Sequence, residues 1–224
     1  MRSLIVIFSM LFFAYLTLAL VSCKSSEDQL YKAVQIIEEQ VKPEPAKLPT
    51  LSWGDSKASW TKVLIEEIEK SAMVDVLPTD YKEYCPAFKN LTKSDKVQVY
   101  AELMVLMAKK ESSWNPAAKY LESFKDRHGK RILSSGLFQI SLGSANGYKG
   151  VCAFKEQDEL FDPIKNLKCS VRILDRWVVR DKVFGSKVSG SWRGGARYWS
   201  VMRQGSSSNK YIKSRLSGSK LCRI

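Results

Sequence analysis

The sequence contains 224 residues, among them 36 Lys or Arg, 23 Asp or Glu and a single His, and its formal net charge is +13. This length fits one globular domain behind an N-terminal leader, and the positive charge favours polyanionic partners. Because His128 is the only histidine and no CxxC pair occurs, the sequence argues against a metal site, and we expect neither a metal nor a cofactor.

The N-terminal residues have the pattern of a secretory leader. Arg2 supplies the positive start, an apolar run covers 4–20, and Val21-Ser22-Cys23 follows. This end resembles the lipobox of bacterial lipoproteins, in which Cys23 would carry lipid and become the mature N-terminus. We therefore expect a signal peptide over 1–22, the alternative being an uncleaved membrane anchor with an incidental cysteine. Lys24 in place of Asp resembles the Gram-negative signal for the outer membrane.

Export would place the chain in the oxidising periplasm, on the inner face of the outer membrane. There the polyanions that fit a basic protein are lipid headgroups and the cell wall with its peptide carboxylates. No basic nucleic-acid motif is visible, so we expect no nucleic-acid partner. We expect a monomer that is attached to the membrane by its N-terminal lipid.

Four cysteines remain once Cys23 is assigned to lipid, and in an oxidising compartment they are expected to pair. They allow three connectivities. We favour Cys152–Cys169, which closes a short loop. The second pair is then Cys85–Cys222, which would tie the C-terminus to the region before the main helix.

Residues 23–50 are predicted to form a lipid-anchored tether. Within them, 28–41 could form a helix that is only marginally stable alone, and 42–49 is a proline-rich extended spacer. The spacer would hold the folded part off the membrane.

Residues 51–224 are predicted to form one mainly α domain with a single short β-hairpin. Asp55 or Ser56 could cap a first helix that extends to about Met73, and Thr92 or Ser94 could cap the main helix.

Alternating apolar residues over 120–133 predict the hairpin, with His128-Gly129 at its turn. Asp162-Pro163 is a strong helix start, because Asp caps and Pro occupies the first position. A last helix is predicted from about Gly194 or Gly195, followed by a Ser- and Lys-rich tail over 205–222.

The main helix carries a carboxylate at the end of its apolar stripe. The stripe consists of Val97, Tyr100, Met104 and Met107, and the next step of four residues reaches Glu111. Burial disfavours the charged form, so the pKa of this carboxyl should rise, and a protonated carboxylic acid can act as a general acid. Pro116 ends the helix soon afterwards and places Glu111 at the mouth of a cleft. The alternative is a core glutamate paired with an arginine.

Four blocks in order resemble the catalytic domain of soluble lytic transglycosylases, a relative of goose-type lysozyme. They are Glu111-Ser-Ser-Trp-Asn-Pro116, Gly136-Leu-Phe-Gln139, Asp162-Pro-Ile-Lys-Asn166-Leu167 and Ala196-Arg-Tyr198. The resemblance covers roughly 95–205 and implies a lysozyme-like helical domain. Phe138 replaces the usual Met of the second block, and the last block departs from the A-Y-N of the family.

The resemblance also implies roles for individual residues. Glu111 is similar to the single catalytic acid of the family, Gln139 to the glutamine that lines the cleft beside the scissile bond, and Tyr198 to the tyrosine near that glutamate. Ser112 and Asn115 are similar to residues that shape the end of the helix. The candidate substrate-binding residues in these blocks are therefore Gln139, Tyr198, Ser112 and Asn115.

Sugar binding also needs flat apolar faces. The aromatic candidates for stacking are Trp114, Tyr120, Tyr148, Trp192 and Trp199, and Tyr148 completes the predicted substrate-binding set.

The activity implied by the resemblance is cleavage of the β-1,4 bond between N-acetylmuramic acid and N-acetylglucosamine in peptidoglycan. One carboxylate, first acid and then base, suffices if the sugar's own C6 hydroxyl closes a 1,6-anhydro ring. The alternative within this fold is a lysozyme-type hydrolase, in which Glu122 or Asp126 assists a water. We expect these two rather to be solvated hairpin charges. An inactive wall-binding lipoprotein is the third alternative.

Overall fold

The computed structural model describes residues 29–32, 48–147 and 152–223. The chain divides into two compact units, Met1–Lys47 and Leu48–Ile224. Within the described ranges, no helix combines the length and the apolar character that a membrane crossing requires.

The first unit is described only over 29–32, which form one exposed helical turn. This turn falls inside the helix predicted over 28–41. The leader, Cys23, residues 42–47 of the spacer and the remainder of that helix lie outside the described residues.

The second unit contains helices connected by short turns, and two small antiparallel sheets. Its described α-helices are Ala58–Glu69 (α1), Tyr81–Tyr84 (α2), Lys93–Ser112 (α3), Leu142–Gly147 (α4), Pro163–Asp181 (α5) and Ser207–Ser217 (α6). Its described strands are Lys119–Lys125 (β1), Arg131–Ser135 (β2), Ile140–Ser141 (β3), Gly185–Val188 (β4) and Ser191–Gly194 (β5). Short 3-10 turns separate these elements. Because helices make up most of the regular structure and the strands are short, the predicted mainly α class is confirmed.

Helix α3 is the centre of the domain. It begins as predicted at Thr92, whose side chain accepts a hydrogen bond from the Asp95 N–H at 3.2 Å. Every residue from Leu103 to Ala108 is buried, so this part of the helix is surrounded by the core on all sides. Helices α1 and α6 both pack against it.

Helix α5 begins at the predicted position. The Asp162 carboxylate accepts hydrogen bonds from the backbone N–H groups of Ile164 at 2.8 Å and Lys165 at 3.0 Å, and Pro163 occupies the first turn. The helix buries the apolar side chains Leu167, Val171, Leu174 and Val178 on one face.

The predicted hairpin is formed by β1 and β2, with Lys119 opposite Ser135 and an irregularity in the register between Leu121 and Lys125. Strand β3 extends the sheet beyond β2. The prediction of only one hairpin is wrong, because β4 and β5 form a second. Gly194 ends β5 with φ 58°, and an added Cβ would lie 2.4 Å from the Val183 carbonyl oxygen.

The first predicted helix is shorter than expected at both ends. Asp55 and Ser56 lie in the 3-10 turn Asp55–Lys57 and cap nothing, so α1 begins only at Ala58. At the other end, Ser71 donates from its N–H and its hydroxyl to the Ile68 carbonyl, which stops the helix before the predicted Met73.

The C-terminal region also differs from the prediction. The helix expected from Gly194 or Gly195 is a pair of 3-10 turns, Gly195–Arg197 and Ser200–Met202, because Trp199 between them is extended. The tail contains the real helix α6, which buries Ile212, Leu216 and the side chain of Asn209.

Both favoured disulfides are present. Cys152–Cys169 joins α5 to the segment before it, and Cys85–Cys222 joins the end of α2 to the C-terminus. The second therefore anchors the chain end that follows α6.

Candidate active site

The Glu111 carboxyl lies in the last turn of α3. Its Oε1 atom is buried and has no hydrogen-bond partner among the described residues. The pKa of Glu111 is raised from the ordinary 4.5 to about 8. The main cause is burial, and the second is the negative charge of Glu122. At neutral pH this side chain is therefore mostly a neutral acid that retains its proton.

The end of α3 is shaped by local hydrogen bonds. Ser113 and Trp114 have φ of 55° and 65°, and the Trp114 indole N–H donates to the Val105 carbonyl at 2.9 Å. The Ser112 hydroxyl donates to a carbonyl one turn back, and the Asn115 side chain accepts from a backbone N–H two residues on.

Glu111 faces a cavity of about 420 Å³ that is open to solvent. Its walls come from α3, the β1–β2 hairpin, the β3–α4 segment and the 3-10 turns after β5. Its lining residues are Glu111, Glu122, Phe124, Ile132, Ser134, Gln139, Ser141, Ser144, Arg197, Tyr198, Trp199, Ser200 and Arg203.

Three of the predicted site residues, Glu111, Gln139 and Tyr198, meet in this cavity. Ser112 and Asn115 are not among its lining residues, and their side chains make local hydrogen bonds at the end of the helix. Their role in substrate binding stays a prediction. Tyr148 lies outside the described residues.

Gln139 is held by a tight turn that only glycine allows. Gly136 has φ 78°, and a Cβ there would lie 2.2 Å from the Leu160 carbonyl oxygen and 2.4 Å from Asn166 Nδ2. The Phe138 N–H donates to Asn166 Oδ1 at 3.0 Å, and the Gln139 side-chain amide donates to the Gly136 carbonyl at 2.8 Å. The motifs Gly136–Gln139 and Asp162–Leu167 are thus joined by the buried Asn166.

The aromatic wall is built around the same turn. Trp199 is buried, its indole N–H donates to the Phe138 carbonyl at 3.0 Å, and its ring lies 4.7 Å from that of Tyr198. Tyr198 reaches the cavity from the junction between the two 3-10 turns rather than from the predicted helix.

The other stacking candidates within the described residues do not share this position. Trp114 and Trp192 are partly buried against the core, and Tyr120 is exposed at 60% of its surface. Phe124, which the sequence reasoning missed, lines the cavity from β1. Strand alternation, which places it on the same side as Glu122, was the available signal.

Glu122 is not the solvated hairpin charge that we expected. It lines the cavity together with Glu111, and its Oε1 accepts a hydrogen bond from the Ser134 hydroxyl at 2.7 Å. Asp126 does match the expectation, since it is exposed at the hairpin tip and accepts hydrogen bonds from the N–H groups of His128 and Lys130. The cavity thus contains a second carboxyl.

The wall beside Tyr198 is fixed by a buried acid. The Arg197 guanidinium donates to both Asp181 oxygens, at 2.5 and 3.1 Å, and the Gly194 N–H donates to the same carboxylate at 2.8 Å. Arg193 lies 3.7 Å away. Among the described residues, no group of three or more His, Cys, Asp or Glu is arranged to hold a metal ion.

A mainly helical domain whose central helix ends in a buried acid beside a hairpin-walled cavity has the architecture of the lysozyme-like superfamily. The model of one family, the transglycosylase SLT domain, matches residues 89–187. The solved structure of wild-type Bd0314 DslA, form 2, is 37% identical with a TM-score of 0.75, and the match covers 80% of this chain and all of that one. This chain therefore belongs to the transglycosylase SLT domain family.

Two further structures of Bd0314 DslA match over the same shares of both chains, and each carries one glutamate-to-glutamine mutation. They are 37% and 36% identical, with TM-scores of 0.75 and 0.74. No curated protein matches the chain. The family assignment indicates a peptidoglycan-related, lytic transglycosylase-type function at the level of the family.

Proposed function

We propose that this protein cleaves the β-1,4 bond between N-acetylmuramic acid and N-acetylglucosamine, with Glu111 as the general acid. The observation that carries the proposal is the Glu111 carboxyl, buried without a partner at Oε1, with a pKa of about 8, at the edge of an open cavity. Such a group holds a proton at neutral pH and can donate it to a ligand in the cavity.

The first chemical step follows from that proton. Glu111 transfers it to the bridging oxygen, the bond from C1 to that oxygen breaks, and positive charge develops at C1. The resulting Glu111 carboxylate then takes the proton of the C6 hydroxyl, whose oxygen closes the ring at C1. The 1,6-anhydro product forms, the carboxyl regains its proton, and no water is consumed.

Glu122 favours a second candidate, hydrolysis of the same bond. A carboxylate in the same cavity, held by Ser134, can take the proton of a water that attacks C1. The two mutated glutamates of Bd0314 DslA lie eleven residues apart, which is also the separation of Glu111 and Glu122. Because both reactions begin with the same protonation, they differ only in what attacks C1.

Digestion of purified sacculi, followed by mass analysis of the released muropeptides, separates the candidates. Anhydro ends support the transglycosylase, and reducing ends support the hydrolase. Absence of release by the wild-type protein contradicts both and leaves a wall-binding protein.

Three variants assign the carboxylates. Glu111→Gln should lower the rate at least about 100-fold in either reaction, because the amide cannot donate the proton. Glu122→Gln should abolish release if water attacks and leave most of it if the C6 hydroxyl attacks. Asp126→Asn, at the exposed hairpin tip, is the matched control and should cleave at the wild-type rate.

We further propose that Cys23 is lipidated and that the protein is attached to the periplasmic face of the outer membrane. The two disulfides of the domain support export, because they form in oxidising compartments. Labelling with radioactive palmitate should mark the wild-type protein and not Cys23→Ser. Equal labelling of both would contradict the proposal.

A further inference from the structure

The cavity contains an arginine whose charge is not balanced by an acid. Arg203 follows the turn Ser200–Met202 and lines the same cavity as Glu111. In the described part of the chain, no carboxylate oxygen lies within 4.0 Å of its guanidinium. Its neighbour Arg197 differs, because that side chain is engaged on both oxygens of Asp181.

The protein contacts of Arg203 occupy only part of its guanidinium. Its Nε–H donates to the Ala196 carbonyl at 3.4 Å, a long hydrogen bond, and its guanidinium carbon lies 5.8 Å from the centre of the Trp192 ring. A guanidinium has five N–H donors in a planar fork that matches a carboxylate. The remaining donors are therefore available to a ligand in the cavity.

An anionic ligand needs such a residue here because the cavity also contains two carboxyls, while the charge of its other arginine, Arg197, is engaged by Asp181. Glu122 contributes negative charge, and Glu111 does so once it has given up its proton. A carboxylate in this space would be repelled by both. Arg203 lies on a different segment from Glu111 and Glu122 and forms no ion pair with either. Its positive charge can therefore offset the repulsion of a bound carboxylate by the two acids.

We propose that Arg203 binds a carboxylate on the lactyl arm of the muramic acid residue, and so selects charged wall strands over uncharged glycans. The inference rests on the proposed substrate. In peptide-bearing strands the carboxylates belong to the stem peptide. In strands stripped by an amidase the lactyl group itself ends in a carboxylate, and a charge-assisted fork recognises either.

Binding measured by calorimetry in the Glu111→Gln protein tests this without cleavage. The ligands are a peptide-bearing strand, the same strand after amidase digestion, and the same strand after its carboxylates are converted to primary amides. Arg203→Gln is the test variant and Arg203→Lys restores the charge. Arg215→Gln, which removes an exposed arginine on α6 outside the cavity, is the matched control.

Arg203→Gln should weaken binding of a carboxylate-bearing strand at least about tenfold and leave the amidated strand within about twofold. Loss on the peptide-bearing strand identifies the stem peptide as the source, and loss on the stripped strand identifies the lactyl group. Arg203→Lys should recover part of the affinity, and Arg215→Gln should change none of it. Equal losses on all three strands, or no loss on any, overturn the inference.

The proposed function fails in a different experiment. If the wild-type protein releases nothing from sacculi while the dependence on carboxylate remains, the cleavage proposal is wrong and Arg203 is a wall-binding residue. If release occurs and Arg203→Gln affects all strands alike, only the inference is wrong.

Discussion

At Glu111 the property that suits catalysis also costs stability. The native carboxyl has a pKa of about 8 against the ordinary 4.5 that the unfolded chain would show. The folded state therefore binds more protons between these two values, and the free energy of unfolding falls as the pH rises from about 4.5 to 8. Above pH 8 the charged carboxylate remains buried, and the full cost persists.

Glu111→Gln should remove this dependence. The difference in unfolding free energy between variant and wild type should move in favour of the variant by roughly 2–4 kcal/mol between pH 5 and pH 8. Urea unfolding at both pH values measures it. Glu66→Gln, an exposed change on α1, is the control. A difference that does not change with pH would show that the Glu111 carboxyl is not shifted.

Glycine is required at Gly136 for two reasons, its positive φ and the carbonyl against which a Cβ would clash. Gly136→Ala should therefore cost roughly 3–5 kcal/mol and lower the cleavage rate through displacement of Gln139. Gly129→Ala shares the φ of 78° but has no atom within 4 Å of the added Cβ, so it should cost only about 1 kcal/mol. Thermal unfolding of both variants checks this, and equal costs would contradict the steric account.

At the scale of elements, the wall beside Tyr198 depends on the end of α5. Asp181 accepts hydrogen bonds from Gly194 and Arg197, which belong to β5 and the turn that follows. Burial opposes its charge, but the hydrogen bonds and the two arginines hold the pKa of Asp181 below its ordinary value. One carboxylate thus connects three segments of the site.

Asp181→Ala should destabilise the protein by about 2–4 kcal/mol, because it leaves the Arg197 guanidinium and the Gly194 N–H without their acceptor. It should also lower cleavage through a loosened wall. Chemical denaturation and the rate of muropeptide release are the two readouts. Asp158→Ala, outside the cavity, is a control for the loss of one acid. A stable and fully active Asp181→Ala protein would contradict this role.

The elements that local signals define were predictable from sequence. Thr92 and Asp162 cap their helices as expected, since a cap depends on residues within one turn. The β4–β5 hairpin and helix α6 were missed. The hairpin depends on the close approach of Gly194 to the carbonyls of Val183 and Phe184, which is a tertiary contact. Helix α6 has a polar, Ser- and Lys-rich sequence and is stabilised by burial of a few side chains against the core.

In the site, too, the residues that local sequence signals define were predictable, and those placed by tertiary packing were not. Glu111 could be found because its position continues an apolar stripe, and Gln139 because its motif is local. The sequence predicts a solvent-exposed Glu122, because many Lys and Arg residues surround it in the hairpin. The fold of the hairpin instead places its side chain in the cavity. Arg203 carries no motif, and its place follows only from the packing of the turns before it.

For the whole molecule, the two disulfides close loops of very different length. Cys85–Cys222 spans 137 residues and Cys152–Cys169 spans 17. In the chain-entropy account, removal costs about 5 kcal/mol for the first and about 3 kcal/mol for the second. Replacing each pair by serines and measuring urea unfolding should give this order. The reverse order would show that native packing around the cysteines, rather than loop closure, sets their effect.

The central claim is that Glu111 keeps its proton at neutral pH. Carbon-13 NMR titration of the glutamate side-chain carboxyls, with the Glu111→Gln protein used for assignment, measures that pKa directly. The account predicts a value of about 8, followed by loss of the acid-dependent cleavage as the pH rises through it. A titration near the ordinary 4.5 would contradict it, because the carboxyl would then have no proton to give at neutral pH.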